Sequence, residues 1–173
     1  MKLRNSGALL TTFVASIIAM TMASPANAAS MAPVGFQLMC LQHPQECQGG
    51  GSSSVNLTDA VLGKIARVNS QVNNSIRPRN DPAGDVWTIG ASAGDCEDYV
   101  LSKRRALINA GFPPSSLRIG YVKAPQGVDH AILIVKTDVS DLVLDNLAAN
   151  VIPLQETRYR LLAVSGADPM VWH

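Results

Sequence analysis

The sequence predicts an α+β fold, and three observations carry that prediction. Two helix-period segments come first, four short apolar runs follow with no helix between them, and 173 residues allow a single core. Helices followed by consecutive strands pack as an antiparallel sheet covered by helices, whereas a parallel sheet needs the two in alternation. Hydrophobic residues are 47% of the chain and charged residues 16%, which excludes the disordered, collagenous and coiled-coil classes. Lys plus Arg is 14 against 13 Asp plus Glu, so no broad basic surface favours nucleic acid or an anionic membrane.

In chain order, residues 1–28 read as a secretory signal peptide. Lys2 and Arg4 form a basic start, Ala8 to Met22 carries no charge, and Ala26-Asn27-Ala28 supplies a small-x-small cleavage pattern. Thr11, Thr12 and Ser16 interrupt a run that is already short for a membrane helix, so the chain is expected to be exported and not membrane-spanning after cleavage. Export makes the cysteines informative. Cys40 and Cys47 bracket a short loop and are the natural disulfide pair, leaving Cys96 as a free thiol. A metal site built from Cys40, His43 and Cys47 is the alternative, and it lacks an evident fourth ligand.

Residues 29–54 read as an N-terminal strap ending in Gln48-Gly49-Gly50-Gly51-Ser52-Ser53-Ser54, a flexible tract with no core of its own. The main domain occupies 55–173. Apolar residues at Leu57, Val61, Leu62, Ile65, Val68, Val72 and Ile76 recur at three- and four-residue steps and predict a helix that Asn56 or Thr58 can cap. Pro78 and Asp81-Pro82-Ala83-Gly84 open a long connection to about Gly94, the kind of loop that is functional or mobile. A second helix is predicted from Asp95 to Ala110, ended by Gly111 and Pro113. Strands are predicted at Leu117 to Val122, Ala131 to Val135, Leu142 to Leu144 and Tyr159 to Val164. Trp87 precedes the second helix, where packing and lining a cleft are both open to it. The Lys103-Arg104-Arg105 run reads as a solvated helix face.

Cys96 falls in the first turn of the second helix, where unpaired N–H groups and the helix dipole favour a thiolate. A buried structural cysteine is the competing reading. His43 lies in the strap and His173 is the last residue, so His130 is the best-placed base. Thr137-Asp138-Val139-Ser140 can turn the strand of His130 directly into Asp141 to Asp145 as a hairpin. With a loop of two or four residues, paired positions sum to 275 or 277, so His130 and Asp145 are opposite or diagonal neighbours on one face. Thiol, imidazole and carboxylate are the three parts that a nucleophile, its base and an orienting acid require.

These residues resemble the bacterial transglutaminase-like cysteine proteinases. The resemblance rests on Gly94-Asp95-Cys96-Glu97-Asp98-Tyr99, Lys103-Arg104-Arg105, His130-Ala131 and Leu142-Val143-Leu144-Asp145-Asn146, with Cys40-Leu41-Gln42-His43-Pro44, Val72-Asn73 and Asp168 to Trp172 beside them. It implies a papain-like core, a nucleophile-bearing helix on an antiparallel sheet, and catalytic roles for Cys96, His130 and Asp145. It further implies a periplasmic location, a protein substrate such as a surface adhesin, and control by an inner-membrane receptor. Calcium is implied too, with Asp95, Glu97 and Asp98 as ligands; the plain alternative is that acids in a first helical turn offset the helix dipole. Ser140 stands where the family's hairpin carries glycine. Two other functions remain open at this point: amide transfer to an amine, and a calcium-dependent binding module whose triad is idle.

Overall fold

Thr58 accepts the Val61 N–H on its side-chain oxygen at 3.2 Å, so the first predicted helix begins with a capped turn. In the computed structural model, which describes residues 29–82 and 84–173, the elements run in the order β1 (Ser30–Met31), α1 (Val34–Gln42), α2 (Asp59–Ser75), β2 (Arg77–Pro78), β3 (Ala93–Gly94), α3 (Cys96–Asn109), β4 (Leu117–Lys123), β5 (Asp129–Val135), β6 (Leu142–Leu144), β7 (Ile152–Pro153), β8 (Arg160–Val164) and β9 (Val171–Trp172). The signal-peptide reading lies outside the described residues. Gly111, at φ +91°, ends α3 in the left-handed conformation, and the Phe112 N–H returns to the Leu107 carbonyl at 3.0 Å.

The fold is α+β, as the order of segments predicts. A five-stranded antiparallel sheet runs β7-β6-β5-β4-β8, with α3 packed on β5 and α2 packed on α3. β5 is the central strand and is buried on both faces. Ala131, Leu133 and Val135 enter the main core, while Ile132 and Ile134 join Val122 and Val143 in a second apolar layer covered by Leu154, Tyr159 and Val164. Burial on both faces is why this stretch reads as one continuous apolar run and not as an alternation. The β5–β6 register pairs Leu133 with Leu144 and Val135 with Leu142, which is the sum of 277. Thr137 closes the hairpin by accepting the Ser140 N–H at 3.0 Å, and Ser140 keeps a negative φ without needing a glycine there.

The strap is more structured than its sequence suggests. Its α1 has no polar face to create a periodic signal, yet Phe36 is completely buried at ring-centroid distances of 5.3 Å from Trp87 and 6.4 Å from Trp172. Tyr121 completes this aromatic group, and β1 pairs with β9, joining the strap to the C-terminal strand. The glycine tract is docked as well. Gly50 exchanges hydrogen bonds with Ser115, and a side chain at Gly49 would strike the Ala167 carbonyl, so glycine there permits close backbone approach.

Cys40 and Cys47 form the expected disulfide, which removes both as metal ligands, and Cys96 is free. The reading of Lys103-Arg104-Arg105 as a solvated face is overturned. Lys103 and Arg104 are buried, and the Arg104 guanidinium donates to the carbonyls of Glu46 at 2.5 Å and Gln48 at 3.2 Å while Arg105 pairs with Glu46 at 2.8 Å. The disulfide loop sits over that face of α3 and supplies acceptors that local sequence does not show. Because Phe36 is the strap's main anchor, Phe36→Ala is expected to lower unfolding stability by about 3–5 kcal/mol in urea titrations. A loss well under 1 kcal/mol would show that α1 is not part of the folded core.

Candidate active site

Gly94 and Asp95 set the entry to α3. Asp95 is the N-cap residue, in extended conformation, and Asp98 is the third helical position. Asp98 accepts the Thr88 N–H at 2.7 Å, which fastens the loop carrying Trp87 to the helix start. It is buried, and a side chain at Gly94 would collide with its carboxylate. Asp98 is therefore engaged by the Thr88 backbone. Trp87 itself is packed, with Nε1 donating to Asp85 at 3.0 Å.

Cys96 opens the helix as the sequence predicts. Its thiol donates to Glu97 Oε2 at 3.0 Å. Burial first, then the Glu97 contact and charge, push the thiol well above its ordinary value, so the resting group is protonated despite the helix N-terminus. Glu97 is in turn pushed up to about 7 by burial and by its contact with Asp95. Tyr121 faces this same group: burial and the charges of Asp85, Glu97, Cys96 and Asp95 all raise its hydroxyl.

His130 lies on β5, the strand against which the Cys96 helix packs. Its Nε2 bonds Asp145 Oδ1 at 2.8 Å, the diagonal placement that the 277 register dictates. Both residues are buried. Asp145 also accepts the Leu147 N–H at 2.9 Å and the Tyr159 hydroxyl at 2.5 Å. Burial opposes ionisation of Asp145, but the bonds from His130, Tyr159 and Leu147 outweigh it and hold the carboxyl below its ordinary range. An ionised Asp145 takes the proton on Nε2, which leaves Nδ1 as the basic nitrogen.

The structure thus joins His130 to Asp145 and sets Cys96 beside the strand of His130. It does not gather Asp95, Glu97 and Asp98 into one cluster: among the described residues no group of three or more His, Cys, Asp or Glu side chains is arranged for a metal ion. Asp95 and Glu97 do face each other, and the Glu97 carboxyl is raised first by burial and then by its contact with Asp95. That all-oxygen pair suits a hard divalent cation, while Asp98 supports the turn. Tyr159 and Tyr121 carry no local sequence signal for their places at the site; Tyr159 follows Asp145 by 14 residues and meets it only because β8 returns to the sheet.

The sequence matches the family described as bacterial transglutaminase-like cysteine proteinase BTLCP over residues 26–173. The chain belongs to this family. Solved structures of Legionella pneumophila LapG share its fold. The calcium-bound form superposes with a TM-score of 0.56 at 25% identity, covering 62% of this chain and 66% of LapG, just under two thirds of that relative's length. An EGTA-treated form gives 0.55 at 24%, covering 60% and 62%, and a further LapG structure gives 0.58 at 24%, covering 65% and 68%. Among curated proteins no match was found. No helix among the described residues is long and apolar enough to cross a membrane.

Removing one of the bonds to a buried carboxylate has a pH signature. Tyr159→Phe is expected to cost about 1.5–3 kcal/mol near neutral pH. Because Asp145 is held below its ordinary value, its stabilising contribution is complete above about pH 4 and is lost as the pH falls through the folded value. Denaturant unfolding of wild type and Tyr159→Phe should therefore differ most near pH 6 to 7 and converge toward about pH 2. An equal gap at both ends would disconnect the tyrosine from the charge of Asp145.

Proposed function

We propose that the protein is a cysteine peptidase acting through an acyl-enzyme, with Cys96 as nucleophile, His130 as base and Asp145 as the orienting acid. The observation that carries this reading is the buried His130–Asp145 bond, made on the strand against which the Cys96 helix packs. The thiol turns from Glu97 to the free Nδ1 of His130, which takes the proton as sulfur attacks the scissile carbonyl. The imidazolium then gives that proton to the departing amine. Water, deprotonated by the same nitrogen, releases the acyl group and restores the thiol. The backbone N–H of Cys96, at the helix N-terminus, is a donor for the oxyanion.

Asp95 and Glu97 are the proposed holders of a calcium ion. A bound calcium ion would supply positive charge against the carboxylates that keep the Cys96 thiol protonated, so that Glu97 would compete less with His130 for the thiol proton. The family resemblance supports export to the periplasm, a protein substrate of the surface-adhesin kind and an inner-membrane regulator.

A fluorescent iodoacetamide reports the nucleophile without knowledge of the substrate. Cys96→Ala should abolish labelling, and His130→Ala should slow it by orders of magnitude. In peptide cleavage both variants should be inactive, while Asp145→Asn keeps a residue of activity about three to four orders of magnitude below wild type. Full cleavage by Cys96→Ala would end the proposal.

Calcium has a separate test. At a hundredfold excess over its dissociation constant it should add about 2.7 kcal/mol of stability. A chelator should lower both the melting temperature and the labelling rate, and Asp95→Asn should blunt both responses. Magnesium, which demands an octahedral shell, should not substitute. Melting and labelling unchanged by chelator would remove the ion from the account and leave the triad untouched.

A further inference from the structure

The two oxygens of Asp145 are bonded unequally. Oδ1 takes both the His130 Nε2 contact at 2.8 Å and the Leu147 N–H at 2.9 Å, whereas Oδ2 has a single partner, the Tyr159 hydroxyl at 2.5 Å. A carboxylate held through one oxygen can still turn about its Cβ–Cγ bond, a broad torsion with a low barrier, and that turn carries the acceptor out of line with the imidazole. Tyr159 is the group that stops it. The same tyrosine also meets the base: its ring lies 5.9 Å from that of His130, centroid to centroid, at an interplanar angle of 54°. One side chain therefore contacts both the acid and the imidazole that the acid orients.

What fixes Tyr159 lies outside the site. Its ring packs on the second apolar layer of Val122, Ile132, Ile134 and Val143. Its N–H donates to the Thr157 hydroxyl at 3.4 Å, and that hydroxyl donates to the Leu154 carbonyl at 2.7 Å, so the segment is anchored independently of Asp145. Burial and the neighbouring Asp145 carboxylate raise the Tyr159 hydroxyl above its ordinary value, so it remains a donor throughout the neutral range. Phenylalanine would serve the apolar layer equally well and would leave Oδ2 bare in a buried place, so the hydroxyl is there for Asp145. We propose that Tyr159 is a positioning residue of the site: its hydroxyl locks the second oxygen of Asp145, so that the carboxylate keeps His130 in the orientation that serves Cys96. This rests on the triad reading. Tyr159 touches no reacting atom and acts through Asp145 and the imidazole.

The test pairs Tyr159→Phe with Asp145→Asn and reads two signals in the folded protein, the His130 Nε2–H resonance in proton–nitrogen spectra and the rate of Cys96 alkylation by iodoacetamide. Tyr159→Phe keeps the ring and its packing. It should shift the His130 resonance and slow alkylation about tenfold, whereas a tyrosine that only supports the sheet would affect melting and leave both signals alone. In the Asp145→Asn background the same substitution should add less than about twofold, because the two act along one path. If Tyr159→Phe proves unstable, a ring-fluorinated tyrosine in place of Tyr159 keeps the hydroxyl and makes it a stronger donor, and the His130 resonance should again move. An unchanged resonance and rate in a folded Tyr159 variant overturns the proposal. So does an equal loss in the presence and absence of the Asp145 carboxylate. Failure of the triad reading is told apart in the wild type, where Cys96 would alkylate no faster than in the His130→Ala protein, and it would overturn both. Fast alkylation that depends on His130 but not on the Tyr159 hydroxyl overturns this proposal alone.

Discussion

The constraint on which the structure depends is the burial of the Asp145 carboxylate. It is only 3% exposed and ionised, and a buried charge without partners would cost several kcal/mol. Each of its bonds therefore has to be supplied by a different part of the chain. His130 comes from β5, Tyr159 from the residue just before β8, Leu147 from the loop after Asp145, and Asn73 holds the Asp145 backbone from α2. Satisfying one acid fixes the relative positions of the central strand, an edge strand and a helix. The arrangement that keeps Asp145 charged is also the one that leaves Nδ1 of His130 free.

The nucleophile side works under the opposite tension. A helix N-terminus favours a thiolate, but burial and the neighbouring acids win at Cys96, and the proton stays on sulfur. Asp98 accepts the Thr88 N–H and so ties the Trp87 loop to the helix start, yet burial still pushes its carboxyl up to about 6. The aromatic group of Phe36, Trp87, Tyr121 and Trp172 packs the Trp87 loop and β4 against the strap and the C-terminal strand, which are distant in sequence.

Much of this was legible because it is local. The stripe from Leu57 to Ile76 shows a helix since one face is buried and the other wet, and the short hairpin leaves only two registers, both of which put His130 and Asp145 on one face. The helix of the strap was not legible. Residues Val34 to Gln42 are apolar nearly all round, so burial of Phe36, Met39 and Cys40 produces no contrast with the exposed Val34, Leu38 and Leu41. The basic run on α3 misled for a related reason: charge predicts a solvated face unless acceptors arrive from elsewhere, and here they arrive from the disulfide loop about 56 residues upstream.

By itself the sequence determined the fold class, the helix that presents Cys96, the pairing of Cys40 with Cys47 and the shared face of His130 and Asp145. These follow from periodicity, capping and loop length, which act over a few residues. Only the tertiary structure decided that Tyr159 completes the partners of Asp145, that Asp98 serves the turn while Asp95 and Glu97 face each other, and that Lys103 and Arg104 are buried. Those outcomes depend on which groups lose water together when distant segments pack. Desolvation belongs to the assembled core, and no window of neighbouring residues contains it.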